Sequence, residues 1–258
     1  MPRYIPDNNL RYPVLISLKN VRGNLHGSGF FLNVENDGLY LITTRHVLFQ
    51  KDKGLNTWEF IGLNDIILTC YPNDIKIIDP IIIKIDYKSL IFKKHEMFDL
   101  VIVKIANFGP KNELGIYPTT FLNGVSILNA PPNAQIAGAP LSSFKNFIDV
   151  LVSNEVFIFG YPSSLNKSNQ IPANKPLLRK GIVAGKNESN RTIIIDCAVY
   201  PGNSGGLVIE IEDILNEEVK SITRNFKPIG IVSELIPSID TLKSQTYGFE
   251  NVIIDNSG

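Results

Sequence analysis

The chain reads Ser-Gly-Phe-Phe-Leu-Asn-Val-Glu-Asn-Asp-Gly-Leu-Tyr-Leu-Ile-Thr from Ser28 to Thr43, and this stretch is the clearest indicator of its fold. Two apolar runs flank the turn-forming residues Glu35 to Gly38, which is the pattern of a β-hairpin. We expect Gly38 to adopt a positive φ where the loop enters the second strand. The stretch therefore predicts a pair of antiparallel strands.

The same pattern recurs along all 258 residues. Short runs rich in Ile, Val, Phe and Tyr are separated by clusters of Gly, Pro, Asn and Asp, which is typical of an all-β protein with many short strands. Further strands are predicted at 13–19, 66–71, 75–85, 99–105, 156–159, 181–183, 192–197, 207–211, 229–233 and 247–254. They fall into two sets, so we predict a lobe of residues 1–120, a connection of residues 121–150 and a lobe of residues 151–258. Residues 213–220 fit either a helix or an extension of a hairpin.

The composition excludes several classes of protein. The 25 basic and 25 acidic side chains give a formal net charge of zero, which argues against a general binder of nucleic acid or anionic membranes. A hydrophobic content of 44% with only 19% charged residues excludes an intrinsically disordered chain. The longest apolar run, residues 77–85, is too short to span a bilayer.

The cysteines and the N-terminal residues indicate a compartment. Cys70 and Cys197 match neither a zinc spacing nor a redox pair, so we expect two small buried side chains in different lobes. The first residues contain no apolar segment of the kind found in signal peptides. Both observations favour a cytoplasmic protein.

The segment that carries the most chemical information runs from Tyr200 to Gly206, Tyr-Pro-Gly-Asn-Ser-Gly-Gly. A serine attacks a carbonyl only if a base takes its proton and if donors stabilise the oxyanion that forms. The glycines allow the backbone to curl so that the N–H groups of Gly202 and Ser204 point into one concavity. A glycine-rich turn without chemistry is the alternative for this segment taken alone.

Two further segments supply a candidate base and a candidate acid. His46 follows the apolar run that ends at Thr43, and loop residues at strand ends often face a cleft. His26 and His95 are interpreted as ordinary surface residues. Asp99 precedes an apolar strand, where an acid is as often solvated as functional. The order His46, Asp99, Ser204 nevertheless predicts a catalytic triad.

With these motifs the chain resembles the chymotrypsin-like (trypsin-fold) serine peptidases, in particular bacterial members such as the protease domain of the high-temperature-requirement proteases. The resemblance extends from about residue 15 to residue 252. It rests on the following motifs: Gly27-Ser-Gly-Phe-Phe31, Thr43-Thr-Arg-His-Val47, Phe98-Asp-Leu-Val-Ile-Val103, Val156-Phe-Ile-Phe-Gly-Tyr-Pro162, Pro201-Gly-Asn-Ser-Gly-Gly206 and Gly230-Ile-Val-Ser233.

The resemblance implies an all-β fold of two antiparallel β-barrels with the active site in the cleft between them. His46 and Asp99 would come from the first barrel and Ser204 from the second. The N–H groups of Gly202 and Ser204 would form the oxyanion hole. No metal and no cofactor is implied.

The resemblance also suggests a specificity pocket. Its lining would be Ala198, Ser233, Glu234, Leu235 and Gly248. The apolar members favour a small or medium aliphatic residue before the cleaved bond, while the carboxylate of Glu234 leaves a basic residue open. The hydroxyl of Ser233 would approach the catalytic acid.

One departure from the family concerns activation. Asn203 stands where animal digestive members carry an aspartate that pairs with a newly cut N-terminus, so no zymogen cleavage is implied. Latency until a partner or a substrate orders the oxyanion turn is therefore one hypothesis.

The expected function is that of a serine endopeptidase acting on protein or peptide substrates, with a regulatory protein partner and without nucleic acid or membrane. A role in a stress or phage-defence pathway is a further hypothesis. The alternative from another class is a pseudoprotease, a scaffold without catalysis. An α/β-hydrolase is disfavoured because a strand, not a helix, follows Ser204. A metalloprotease is disfavoured because the chain contains no His-Glu-x-x-His motif.

Overall fold

The computed structural model describes residues 11–52, 57–74, 76–113, 117–162, 172–216, 221–234, 238–243 and 250–255. These ranges contain nineteen strands and one four-residue α-helix, so the all-β prediction is confirmed. Within them, no helix has both the length and the apolar character that crossing a membrane requires.

The first half of the chain builds twelve strands and the helix. Their bounds are β1 Pro13–Asn20, β2 Gly23–Val34, β3 Gly38–Thr43, α1 Arg45–Leu48, β4 Phe49–Lys51, β5 Trp58–Phe60, β6 Asp65–Cys70, β7 Ile81–Asp86, β8 Ile91–Lys94, β9 Val101–Phe108, β10 Thr119–Phe121, β11 Val125–Asn129 and β12 Ala139–Pro140.

The second half builds seven strands. Their bounds are β13 Glu155–Gly160, β14 Leu177–Asn187, β15 Thr192–Asp196, β16 Leu207–Asn216, β17 Ser221–Ile231, β18 Ser238–Lys243 and β19 Glu250–Asp255.

The first sheet has ten strands and curls into a half-barrel. Its main path runs in the order β10-β9-β3-β2-β1-β6-β7-β11, with β8 paired to β9 and β12 paired to β2. Every one of these pairs is antiparallel except β12 with β2. Strands β11 and β12 lie within residues 121–150, so this stretch contributes to the first sheet as well as linking the two sheets.

The hairpin of β2 and β3 confirms the strand prediction but corrects the role of its glycine. The residue with a positive φ in the turn is Asn36, at 60°, and not Gly38. Gly38 pairs with Val34 at the start of β3. A Cβ there would lie 2.1 Å from the carbonyl oxygen of Ala106, so glycine is required by the close approach of β9 and not by backbone conformation.

The second sheet has five strands in the order β15-β14-β13-β16-β17, all antiparallel. Residues 213–216 extend β16 and pair with residues 221–224 of β17, so the hairpin alternative was the correct one. Strands β18 and β19 form a separate two-stranded sheet.

Alternating side chains place the core on both faces of the central strands. On β13, Val156 and Ile158 pack into the cluster inside the second sheet, while Phe157 and Phe159 pack toward the first sheet. Strand β2 does the same, because Phe31 enters the first-sheet core and its neighbour Phe30 enters the shared cluster. Successive side chains of a strand point to opposite faces, so these strands bind the two sheets together.

Candidate active site

A cavity of about 790 Å³ lies between the two sheets. Residues of the first half form one wall and residues of the second half form the other. It contains all three members of the expected triad, His46, Asp99 and Ser204. Its lining is Arg45, His46, Trp58, Met97, Phe98, Asp99, Leu100, Arg191, Thr192, Ile193, Ile195, Ser204, Val208, Ile229, Gly230, Ile231, Ser233 and Glu234.

His46 and Asp99 are joined by two hydrogen bonds. The imidazole Nδ1 of His46 pairs with Oδ2 of Asp99, and the backbone N–H of His46 donates to Oδ1 at 3.1 Å. Helix α1 begins two residues after the end of β3, and Asp99 lies two residues before the start of β9, the neighbour of β3 in the sheet. The pairing of these two strands therefore brings together residues that are 53 positions apart.

The carboxyl group of Asp99 is kept ionised by its surroundings. Burial raises its pKa, but the hydrogen bonds from His46 and the charges of His46 and Arg45 outweigh burial, and the net pKa lies below the ordinary value. A carboxylate that stays charged can hold the imidazole in one orientation and stabilise the imidazolium.

Arg45 supports this pair from outside, a role that sequence reasoning did not assign. Its Nη1 donates to the carbonyl oxygen of His95 at 3.0 Å, and its Cζ lies 4.0 Å from the ring centroid of Trp58. Its Nε lies 3.9 Å from Oδ1 of Asp99. The guanidinium thus connects the acid to the segment that forms the rim of the cavity.

The turn before Ser204 has the pattern of a type II β-turn. The N–H of Asn203 donates to the carbonyl of Tyr200 at 3.0 Å, Pro201 occupies the second position, and Gly202 has a φ of 102°. The N–H groups of Gly202 and Ser204 form no hydrogen bond in the part of the chain that the structure describes. Unengaged donors on both sides of one peptide are what an oxyanion site requires.

The turn continues into β16 without a gap. Gly205 has a φ of 84° and donates its N–H to the carbonyl of Val232 at 2.8 Å, while the N–H of Gly206 donates to Asn203 at the same distance. Asn203 itself is buried, and its Nδ2 forms no hydrogen bond with the described residues. The nucleophile turn is therefore packed on the second sheet by backbone contacts.

The expected specificity residues are only partly assembled. Ser233 and Glu234 line the cavity, whereas Ala198 is not part of its lining. Leu235 and Gly248 lie outside the described residues. Among the described residues, His46 and Arg45 contact the carboxylate of Asp99. The hydroxyl of Ser233 forms no hydrogen bond with this carboxylate in the described part of the chain.

The other two histidines and the cysteines lie outside the triad. Nδ1 of His26 lies 3.0 Å from Oγ of Ser17 on the paired strand. Nδ1 of His95 accepts the N–H of Phe98 at 3.1 Å and thereby shapes the loop before Asp99. Cys70 and Cys197 are free and buried in separate core clusters, as the sequence predicted.

Comparison with known proteins gives one family match. The model of the trypsin-like peptidase domain matches residues 27–213, well over half of the chain. Among curated proteins, none matches this sequence.

Solved structures with partial likeness are proteases of low sequence identity. A serine endoprotease from Yersinia pestis is 16% identical with a TM-score of 0.43, covering 87% of this chain and 63% of that one. Tobacco etch virus protease in complex with product is 7% identical with a TM-score of 0.44, covering 90% and 79%. The thermostable serine protease AL20 from an extremophilic microorganism is 11% identical with a TM-score of 0.46, covering 86% and 92%. The chain thus spans just under two thirds of the Yersinia protein.

Proposed function

The chain belongs to the trypsin-like peptidase family, and we propose that this serine protease cleaves internal peptide bonds with the triad Ser204, His46 and Asp99. One observation carries the proposal. The imidazole of His46 is hydrogen-bonded to a charged Asp99 at the cavity that Ser204 also lines. A scaffold protein without catalysis has no need of this arrangement.

In the proposed reaction, His46 takes the hydroxyl proton of Ser204 as Oγ attacks the carbonyl carbon of the substrate. The tetrahedral oxyanion is stabilised by the N–H groups of Gly202 and Ser204. His46 then gives the proton to the leaving amine, and an acyl-enzyme remains. In the second half of the reaction, His46 takes a proton from a water molecule as the water oxygen attacks the acyl carbon. His46 then returns the proton to Oγ of Ser204 as the carboxylic acid leaves.

We propose a preference for a small or medium aliphatic residue before the cleaved bond. The part of the cavity formed by the second sheet is lined by five branched aliphatic side chains: Ile193, Ile195, Val208, Ile229 and Ile231. Transfer of an aliphatic group from water to such a surface contributes about 0.8 kcal/mol per CH₂. Profiling of cleavage sites in a peptide library tests this preference. If most cleaved bonds follow Lys or Arg, the carboxylate of Glu234, and not the aliphatic lining, determines which residue is preferred before the cleaved bond.

The proposal extends to the setting of the activity. The two free buried thiols fit a reducing, cytoplasmic compartment. A protease in that compartment needs restraint, so we propose that a protein partner or a substrate controls the oxyanion turn. A protein or peptide cut in a stress or phage-defence pathway is the substrate class we propose.

Labelling with a fluorophosphonate probe tests the triad. The purified protein should be modified at Ser204, located by peptide mass spectrometry, and Ser204→Ala should abolish the signal. Asp99→Asn should slow labelling strongly while leaving the folded state intact. Absence of labelling both in purified protein and in cell lysate would contradict the proposal and favour the pseudoprotease.

A further inference from the structure

Ser28 is a fully buried serine that contacts both halves of the molecule. It lies between Gly27 and Gly29 in β2, the first strand of the hairpin. A buried hydroxyl costs free energy unless its hydrogen-bonding capacity is used. The contacts of Ser28 therefore show what the side chain does.

The hydroxyl of Ser28 is used both as a donor and as an acceptor. Its Oγ donates to the carbonyl oxygen of Gly202 at 2.6 Å and accepts the N–H of Tyr161 at 2.8 Å. Gly202 belongs to the nucleophile turn, and Tyr161 directly follows β13. One hydroxyl of the first sheet is thus bonded to two separate segments of the second half.

The backbone of Ser28 adds two more hydrogen bonds around the same point. Its N–H donates to the carbonyl of Ser204 at 3.0 Å, and its own carbonyl accepts the hydroxyl of Thr43 at 2.7 Å. Thr43 is also fully buried and ends the strand that leads to His46. The four bonds therefore link the turn of the nucleophile to the strand of the base.

These bonds fix the peptide that lies between the two candidate oxyanion donors. The Gly202–Asn203 peptide is held at its oxygen by Ser28 and at its N–H by the carbonyl of Tyr200. A rotation of this peptide would break both bonds. The N–H groups of Gly202 and Ser204, on either side of it, form no hydrogen bond with any residue that the structure describes.

The packing around Ser28 is tight in the arrangement that the structure describes. A Cβ on Gly205 would lie 2.1 Å from the carbonyl oxygen of Ser28 and 2.3 Å from Oγ1 of Thr43. A Cβ on Gly160 would lie 3.0 Å from the hydroxyl of Ser28. Two glycines are therefore placed where the hydroxyl network needs space.

We propose that Ser28 is a positioning residue for catalysis, which sets the orientation of the oxyanion turn through its hydroxyl. We refer to Ser28, Thr43 and their bonds to Gly202, Ser204 and Tyr161 as the Ser28 latch. The inference rests on the proposed function. It predicts that the latch acts on the rate of the chemical step and not on the binding of substrate.

The first test compares the wild-type enzyme with Ser28→Ala on a peptide substrate. Loss of an oxyanion donor itself lowers kcat by about 10²–10³-fold, so loss of its support should lower kcat by about 10–100-fold. KM should change by less than about twofold, since the hydroxyl does not line the cavity. Affinity for a peptide boronic acid, which binds as a tetrahedral adduct, should fall in proportion to kcat/KM.

Two further variants separate positioning from stability. Thr43→Val removes one hydroxyl of the latch with little change of shape, and should lower kcat by a smaller factor, whereas Thr43→Ser should retain activity. Thr69→Val is the matched control, because it removes a buried hydroxyl from β6 of the same sheet outside the cavity lining. If Ser28→Ala does not fold, the pair at Thr43 decides the question.

The outcomes of the proposed function and of the latch are distinguishable. If the wild-type protein neither reacts with the probe nor cleaves peptides, whether purified or in cell lysate, the proposed function is refuted, and the catalytic role of the latch with it. If the wild type is active and Ser28→Ala keeps its kcat while its melting temperature falls, the latch is structural only and the inference is wrong. A rise in KM at unchanged kcat would also overturn it.

Discussion

A buried charge cluster between the segment that precedes β13 and the second sheet allows a quantitative prediction of stability. Glu210 of β16 is fully buried, and Nζ of Lys145 lies 2.8 Å from its Oε2 and 2.8 Å from Oε1 of Glu212. The other oxygen of Glu210 accepts the N–H of Leu151 at 3.1 Å and the side-chain amide of Asn154 at 2.8 Å. One oxygen of the buried carboxylate therefore depends on Lys145.

Replacement of Lys145 by Met should destabilise the protein strongly. Met keeps much of the apolar stem but leaves Glu210 as an uncompensated buried charge, which costs about 3–5 kcal/mol. For a protein of this size, 1 kcal/mol corresponds to about 2–4 °C in Tm. The expected decrease in Tm is therefore about 6–20 °C by calorimetry, and urea unfolding should show the loss of about 3–5 kcal/mol in the free energy of unfolding.

Matched variants test the reasoning. Glu212→Gln removes a carboxylate whose side chain is 24% exposed, so it should cost about 1 kcal/mol or less. Lys145→Met combined with Glu210→Gln should recover much of the lost stability, because no buried charge remains. A loss below about 1 kcal/mol for Lys145→Met alone would refute the argument.

The pH dependence of this effect has a definite sign. Burial lowers the pKa of Lys145, but its contacts with Glu210 and Glu212 outweigh burial and raise it above the ordinary value. A Lys whose pKa is higher in the folded than in the unfolded chain contributes its full stabilisation below the unfolded pKa, about 10.4. This stabilisation is lost as the pH rises through the folded pKa. The difference between wild type and Lys145→Met should therefore be constant between about pH 7 and 9.

Three residues of the active site and the core carry further predictions. Asp99→Asn should lower kcat by about 10⁴-fold at neutral pH, and a loss below tenfold in steady-state kinetics would remove Asp99 from the triad. Because the pKa of Asp99 is lowered in the folded protein, the carboxylate stabilises the fold above about pH 4, and this stabilisation is lost as the pH falls through the folded pKa. The difference in Tm between wild type and Asp99→Asn should therefore shrink in acid. Burial raises the pKa of Cys70 to about 12. A thiol reagent at about pH 8 should therefore leave Cys70 unmodified in the native protein and should react with it after unfolding in urea. Rapid labelling of Cys70 in the native protein would contradict its burial. Gly205→Ala should cost at least about 1–2 kcal/mol from the positive φ alone, with further cost from the 2.1 Å approach to Ser28, and an unchanged Tm would show that the turn adjusts freely.

Local sequence patterns located most of the long strands and suggested the candidate triad, but they did not predict the short strands β4, β5, β8, β10, β11 and β12. Strand β2 was recognisable because an apolar run followed by a polar turn is a property of neighbouring positions. The pattern also predicted the wrong cause for Gly38. Glycine is required at position 38 because the carbonyl of Ala106 approaches it closely. Ala106 belongs to a strand almost 70 positions later, so the residues around Gly38 give no indication of this contact.

The amino-acid sequence by itself determined the all-β class and pointed to the two sets of strands and to the residues proposed to carry the chemistry, since each of these depends on periodicity or on a short motif. Only the tertiary structure revealed the support of those residues. Arg45 meets the carbonyl of His95 across 50 positions, and Ser28 meets the carbonyl of Gly202 across 174. The physical reason is that a buried hydroxyl or guanidinium is satisfied by whichever backbone group the packed sheets bring within 3 Å, and spacing along the chain does not specify that partner.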